Sequence, residues 1–179
     1  PSPQSIGSTD SQEIVFGDID GDGDEDAIVA IYGNLPNQVW TNDGFGFFTN
    51  TGQDLGNSSS HDLDIADLDG DGDLDIFVAN YNNQANRVYL NDGLGNFSAN
   101  GASLGSGASA NVALGDLDND GDIDAWVANN LGQANTVWLN DGNANFTNAQ
   151  ILPSGHSHGC KLADMDQDGD LDAVEAHLS

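Results

Sequence analysis

Aspartate occupies every second position in four short stretches of this chain. They are Asp18, Asp20, Asp22, Asp24 and Asp26; Asp67, Asp69, Asp71, Asp73 and Asp75; Asp116, Asp118, Asp120, Asp122 and Asp124; and Asp164, Asp166, Asp168, Asp170 and Asp172. Carboxylates so close in sequence repel one another unless a cation sits among them. With the first Asp as position 1, position 6 is always glycine: Gly23, Gly72, Gly121 and Gly169. Glycine there lets the backbone turn sharply around an ion, in a conformation that is costly for a residue with a Cβ. The expected donors are the carboxylates at positions 1, 3, 5 and 9 and the main-chain carbonyl at position 7. An all-oxygen set of this size and flexibility suits calcium, which takes about six to eight oxygens. Zinc prefers His and Cys. Magnesium demands a tighter octahedral shell with more water. The expectation is therefore one Ca²⁺ per loop, about four per chain, with Kd on the order of 10⁻⁴–10⁻³ M or tighter.

Each loop opens like an EF-hand loop and then departs from it. An EF-hand closes with a bidentate Glu at position 12 between helices. Here position 12 is Val29, Val78, Val127 and Glu175, and the closing acid lies at position 9. Glu175 is expected to take no part, since Asp172 already closes its loop.

The elements that must hold these loops repeat with them. Loop starts lie 49, 49 and 48 residues apart, and Trp40/Tyr89/Trp138 and Phe48/Phe97/Phe146 keep the period of 49. A fixed period of this size signals a repeat architecture. Before each of the first three loops comes a short alternating run: Glu13–Phe16, Leu63–Ala66 and Asn111–Leu114. After each comes an apolar, β-branched run: Ala27–Ile31, Ile76–Ala79 and Ala125–Ala128. A third run follows an Asn/Gln-rich turn, and a fourth follows Asn42-Asp43-Gly44, Asn91-Asp92-Gly93 or Asn140-Asp141-Gly142. Asp-Gly between strands is a hairpin signal. No window sustains a helical period. The fold class is therefore all-β, with four-stranded antiparallel sheets repeated along the chain, and the recurring aromatics are expected to pack between them.

Residues 1–11 read as an N-terminal tail or linker, and residues 12–179 as the repeat domain. Its units lie near 12–60, 61–109, 110–157 and 158–179, the last with two of its four strands, for 14 strands in all. An open sheet edge invites pairing. The chain is expected to be a piece of a larger array, or to be completed by self-association. Two chains would hold 28 strands, as many as seven four-stranded sheets; a contact that fails to close would give a fibre. Pro1 opens the chain without an initiator Met, as expected of a processed or excised segment.

Charge limits the partners. The chain of 179 residues has 30 acidic and 2 basic side chains and a formal net charge of -28. Nucleic acid binding needs clustered Lys and Arg, and only Arg87 and Lys161 are present. An anionic membrane surface is disfavoured by the same sign. No apolar run reaches transmembrane length. The single cysteine, Cys160, forms no internal disulfide and is expected to be a small buried residue.

Asp-x-Asp-x-Asp-Gly-x-x-Asp with a downstream Asn-Asp-Gly-x-x-x-Phe resembles the VCBS/FG-GAP repeat. The second motif spans Asn42–Phe48, Asn91–Phe97 and Asn140–Phe146. The same repeat forms the calcium-bearing blades of the integrin alpha-subunit propeller and of some propeller lectins. The resemblance covers about residues 12–179. It implies a β-propeller, a secreted or extracellular, cell-surface setting, and a structural, adhesive or scaffold role. A calcium-dependent lectin that binds glycans between blades is the alternative, with the turns at Asn80–Asn86 and Asn129–Asn135 as candidate contacts. A second alternative is the non-catalytic module of a polysaccharide-degrading enzyme. Catalysis itself is not expected. His61 and His158 share one register with Gln12 and Ala110, so they mark a tolerant strand entry. The stretch His156–Lys161 departs most from the repeat and could hold a transition metal or a nucleophile.

Overall fold

A computed structural model of the protein describes residues 4–177. Among them there is no helix, so none is long and apolar enough to cross a membrane. Fifteen strands form sheets that follow one another along the chain. The first comprises β1 (Ser11–Gly17), β2 (Asp26–Ile31), β3 (Leu35–Asn42) and β4 (Phe48–Asn50), with β5 (Leu55–Ser58) added to β3. The second runs β6 (Ser60–Ala66), β7 (Asp75–Asn80), β8 (Arg87–Asn91) and β9 (Phe97–Ala99). The third runs β10 (Ser109–Gly115), β11 (Asp124–Asn129), β12 (Ala134–Leu139) and β13 (Thr147–Ser154). The fourth has two strands, β14 (Ser157–Ala163) and β15 (Asp172–His177). Neighbours in each sheet pair antiparallel in sequence order, which is the up-and-down order of a propeller blade.

The first sheet corrects the expected count. Leu55–Ser58, between the expected fourth strand and the next unit, pairs with β3, giving five strands there and fifteen in all instead of fourteen. Its equivalent in the second sheet makes only the single bridge Asn86↔Leu104. The link is thus one side-on contact, just long enough in the first sheet to count as a strand. In the third sheet the outer strand begins at Thr147, one residue after Phe146. Part of the expected tail is also engaged. Gln4 grips Phe48, with Nε2 on its carbonyl at 2.5 Å and Oε1 on its N–H at 2.8 Å. Residues 1–3 lie outside the described part.

The second and third sheets are covered on both faces, and β7 is accordingly buried at every position; β2 of the first sheet is buried throughout as well. Ile19, Ile28, Ala30 and Val39 of the first sheet meet Leu63, Ile76, Val78 and Tyr89 of the second. Leu68, Phe77, Ala79 and Val88 of the second meet Val112, Ala125, Val127 and Trp138 of the third. Ala113, Trp126 and Ala128 of the third meet Cys160 and Leu162 of the fourth. Of the recurring aromatics, Tyr89 and Trp138 are buried between sheets and Phe146 stands edge-on to Phe77 at 5.5 Å, whereas Trp40 and Phe48 of the first sheet are half-buried and join no cluster between sheets.

Candidate metal centres

Each acidic loop caps the hairpin of the first two strands of its sheet. The last ladder pairs before the loops are Gly17↔Asp26, Ala66↔Asp75, Gly115↔Asp124 and Ala163↔Asp172. Position 9 is therefore the first residue of the second strand, and the other loop residues hang beyond the ladder.

The backbone curls around the position-1 carboxylate. Gly70 N and Gly72 N donate to the two oxygens of Asp67 at 2.8 and 3.0 Å, and Gly21 N and Gly23 N do the same to Asp18 at 2.9 and 3.0 Å. In the fourth loop Gln167 N and Gly169 N hold Asp164 at 2.7 and 3.1 Å. Position 6 has φ of 93° to 101° in all four copies, the left-handed region that glycine reaches without strain. Position 4 is left-handed as well, at Gly21, Gly70, Asn119 and Gln167, a requirement that three different residue types hide from the sequence.

These turns bring carboxylate oxygens within 4.8 Å of one another in every loop. In the first two loops the group is Asp18, Asp20 and Asp22, and Asp67, Asp69 and Asp71. In the third and fourth it is Asp116, Asp118 and Asp124, and Asp164, Asp166 and Asp172. Glu175 joins none of them; its carboxylate instead takes hydrogen bonds from Trp126 Nε1 and Asn135 Nδ2 at 3.2 and 2.6 Å. At position 7, Asp24, Asp73 and Asp122 turn their side chains toward Gly44, Gly93 and Gly142, where a Cβ would collide with them.

Position 9 is held differently. Asp75 is fully buried; Oδ2 accepts from Leu68 N at 3.0 Å and Oδ1 from Asn91 N at 2.8 Å. Asp26 and Asp124 repeat both bonds. Burial raises the Asp75 carboxyl to about 6; the two N–H donors pull it back, and Asp69 and Asp71 push it further up. Asp26 and Asp124 are raised for the same leading reason. The donor set in each loop is oxygen only and mostly carboxylate. Since an ionised carboxylate has about four lone-pair sites, one N–H per oxygen leaves capacity for an ion. These residues fit a calcium ion.

The FG-GAP-like repeat matches this chain at residues 18–78, 67–127 and 116–174. The chain belongs to the FG-GAP-like repeat family. No curated protein matches it. Among solved structures, a lectin from Agrocybe aegerita, described by its specific recognition of non-reducing terminal N-acetylglucosamine, is similar at a TM-score of 0.52 and 24% identity. The match covers 94% of this chain and 43% of the lectin chain, so the present chain spans less than half the length of that neighbour. At this identity the likeness bears on the fold alone.

The FG-GAP units carry a second working residue that the sequence reading passed over. In the second and third sheets the Asn of the Asn-Asp-Gly turn is a latch. Asn91 Nδ2 donates to Ile19 O, position 2 of the first sheet's loop, at 2.8 Å and to Leu74 O in its own sheet at 3.2 Å. Asn140 Nδ2 repeats this with Leu68 O at 2.8 Å and Ile123 O at 3.1 Å. Its recurrence at a fixed place with a variable following strand was the available signal.

On the opposite rim, the Asn/Gln turns also bridge sheets. Gln84 Nε2 reaches Asn34 Oδ1, and Gln133 Nε2 reaches Asn83 Oδ1, each at 2.7 Å. Tyr32 and Tyr81 face each other with centroids 6.4 Å apart, and His61 lies 5.3 Å from Tyr81. His158 and His156 share Asn130, at 2.6 and 3.4 Å. Burial first, then the charges of Asp62 and Glu175, push the Cys160 thiol up to about 12, so at neutral pH it holds no thiolate.

Proposed function

We propose that this chain is a calcium-stapled FG-GAP repeat protein with an extracellular structural, adhesive or scaffold role. The observation that carries the reading is the fourfold recurrence of a carboxylate cluster on the same hairpin cap. Each ion would tie the first two strands of its sheet together by screening like charges that otherwise drive the loop open. Asp18, Asp67, Asp116 and Asp164 would hold it with their neighbours at positions 3, 5 and 9. The net charge of -28 would fall to about -20 with four ions bound. Such an excess favours a calcium-rich exterior. The chain is read as non-catalytic. The one thiol is buried and inert, and the only two basic side chains give little to neutralise a developing anion.

Thermal melts in calcium and in EDTA test the staple. Ion binding to the folded state alone adds stability with ligand concentration, so calcium should raise Tm and EDTA should lower it. Equal melting temperatures would overturn the reading.

A second reading, glycan binding between sheets, is supported by the polar side chains that meet between the first and second sheets at Tyr32, Asn34, Asn82 and Gln84 and by the lectin neighbour. A glycan array with and without calcium tests it; silence at high protein concentration would remove it.

A further inference from the structure

We infer that a cavity between the first strands of the four sheets binds a small organic cation with two ammonium groups, held on the buried carboxylate of Asp62. Strands β1, β6, β10 and β14 lie beside one another. Glu13, Asp62, Asp64, Asn111 and Lys161 are among the residues that line a cavity of about 310 Å³ between them. That is room enough for a small molecule. No aspartate of the acidic loops lines it.

Asp62 is 5% exposed. Among the described residues its side chain accepts from Asn111 Nδ2 and from Val112 N, the latter at 2.8 Å, and both bonds fall on Oδ2. No hydrogen bond of ordinary geometry reaches Oδ1. Since no buried side-chain oxygen among the described residues lacks a partner, Oδ1 is open to the cavity that Asp62 lines.

The charge on Asp62 is more than the fold requires. Glu13, Asp62, Asn111 and Gly159 share one register of the four strands, opposite Ala30, Ala79, Ala128 and Ala176. At that register Asn111 Oδ1 accepts Cys160 N at 2.7 Å, the same link to the next sheet that Asp62 Oδ2 makes to Val112 N. A neutral amide therefore does the structural work. Two residues on, Asp64 accepts Leu114 N at 3.2 Å, where the third sheet manages with Ala113. A buried carboxylate without a counter-charge costs stability. Lys161 lines the same cavity, yet among the described residues it makes no ion pair with Asp62 or Asp64. A cationic ligand supplies the missing partner.

Three carboxylates against one ammonium favour a doubly charged cation. A bare metal ion fits poorly. Among the described residues only the four loops bring three ligand groups within 4.8 Å of one another, whereas the carboxylates of the cavity are spread over β1 and β6. A short alkyl chain with an ammonium at each end spans that spread. One end pairs with Asp62 and Asp64, the other with Glu13, and the methylenes lie along Val15 on the cavity wall.

Calorimetric titration of the full chain with 1,4-diaminobutane, at physiological ionic strength and with and without saturating calcium, tests this. One site per chain is expected, and it should persist in calcium. Asp62→Asn, which retains an acceptor for Val112 N, should weaken binding by on the order of tenfold or more. Asp54→Asn removes the same charge at an exposed position outside the cavity and should leave binding unchanged. 1-Aminobutane, with one ammonium, should bind on the order of tenfold more weakly. Loss of the Asp62-dependent site in calcium would assign the cavity to a metal ion and overturn the proposal. Binding indifferent to Asp62→Asn, or spread over many weak sites, would overturn it too, as diffuse attraction to a chain of net charge -28. The melts in calcium and EDTA read the loops alone, so the staple stands or falls separately.

Discussion

Asn140 Nδ2 lies 2.8 Å from Leu68 O, joining the turn of the third sheet to the acidic loop of the second across 72 residues of sequence. The bond is buried, and it clamps the residue that follows the position-1 ligand candidate Asp67. Asn140→Ala should cost about 1–2 kcal/mol in urea unfolding with calcium present, the range for a lost buried hydrogen bond. Asn96→Ala is the control. Its Nδ2 reaches only exposed Asp92, so it should cost less than about 0.5 kcal/mol. Equal losses would show that the latch is idle.

Gly72→Ala isolates backbone strain. A Cβ there meets nothing within 4 Å, yet φ is 96°. The expected loss is therefore conformational, about 1–3 kcal/mol. It should appear in EDTA as well as in calcium if the loop keeps its shape without the ion. A loss confined to calcium would mean that the ion imposes the turn.

Two loop carboxylates should separate the ion from the fold. Asp71 is exposed and accepts one N–H, from Asp73, at 2.9 Å. Asp71→Ala should lower Tm in calcium and leave the EDTA melt nearly unchanged. Asp75→Asn places an amide donor against one of the two N–H groups that Asp75 accepts. It should destabilise in both solutions, by about 1–3 kcal/mol.

Asp62 gives the fold a pH dependence away from the loops. Burial raises its carboxyl from 3.8 to about 6, partly offset by the N–H of Val112, with Glu13 and Asp64 adding repulsion. The folded state then holds the proton more tightly than the unfolded chain. Its contribution is most favourable below about pH 3.8 and is lost as pH rises toward 6. Asp62→Asn can still accept from Val112 N and Asn111 Nδ2. With excess calcium, the variant should be more stable than the parent at pH 7, by on the order of 1–3 kcal/mol. The difference should vanish near pH 4. A pH-independent difference would assign the effect to packing.

The loops and the sheets were legible in the sequence because both rest on local rules. Alternation marked β1, β6 and β10, and the invariant position-6 glycine marked the turn. What stayed hidden depends on neighbours in space. The Asn latch acts on a carbonyl 72 residues away, and nothing in Asn-Asp-Gly itself points there. The pairing of β5 rests on a few residues of a Gly/Ser link, too short for any pattern. The expected donor set was also more uniform than the observed one. Position 9 joins the cluster in the third and fourth loops, where position 5 does so in the first two.

The closing aspartate of the last loop is the odd one out. Asp26, Asp75 and Asp124 are buried under a third strand, but Asp172 is exposed and among the described residues accepts only Met165 N. Four loops of the same spelling therefore stand in unequal settings. Should calcium fill these loops as proposed, the hairpin at 164–172 is expected to release it first and the loops roofed by a latch last, so that the chain would register calcium by degrees, as a gauge does.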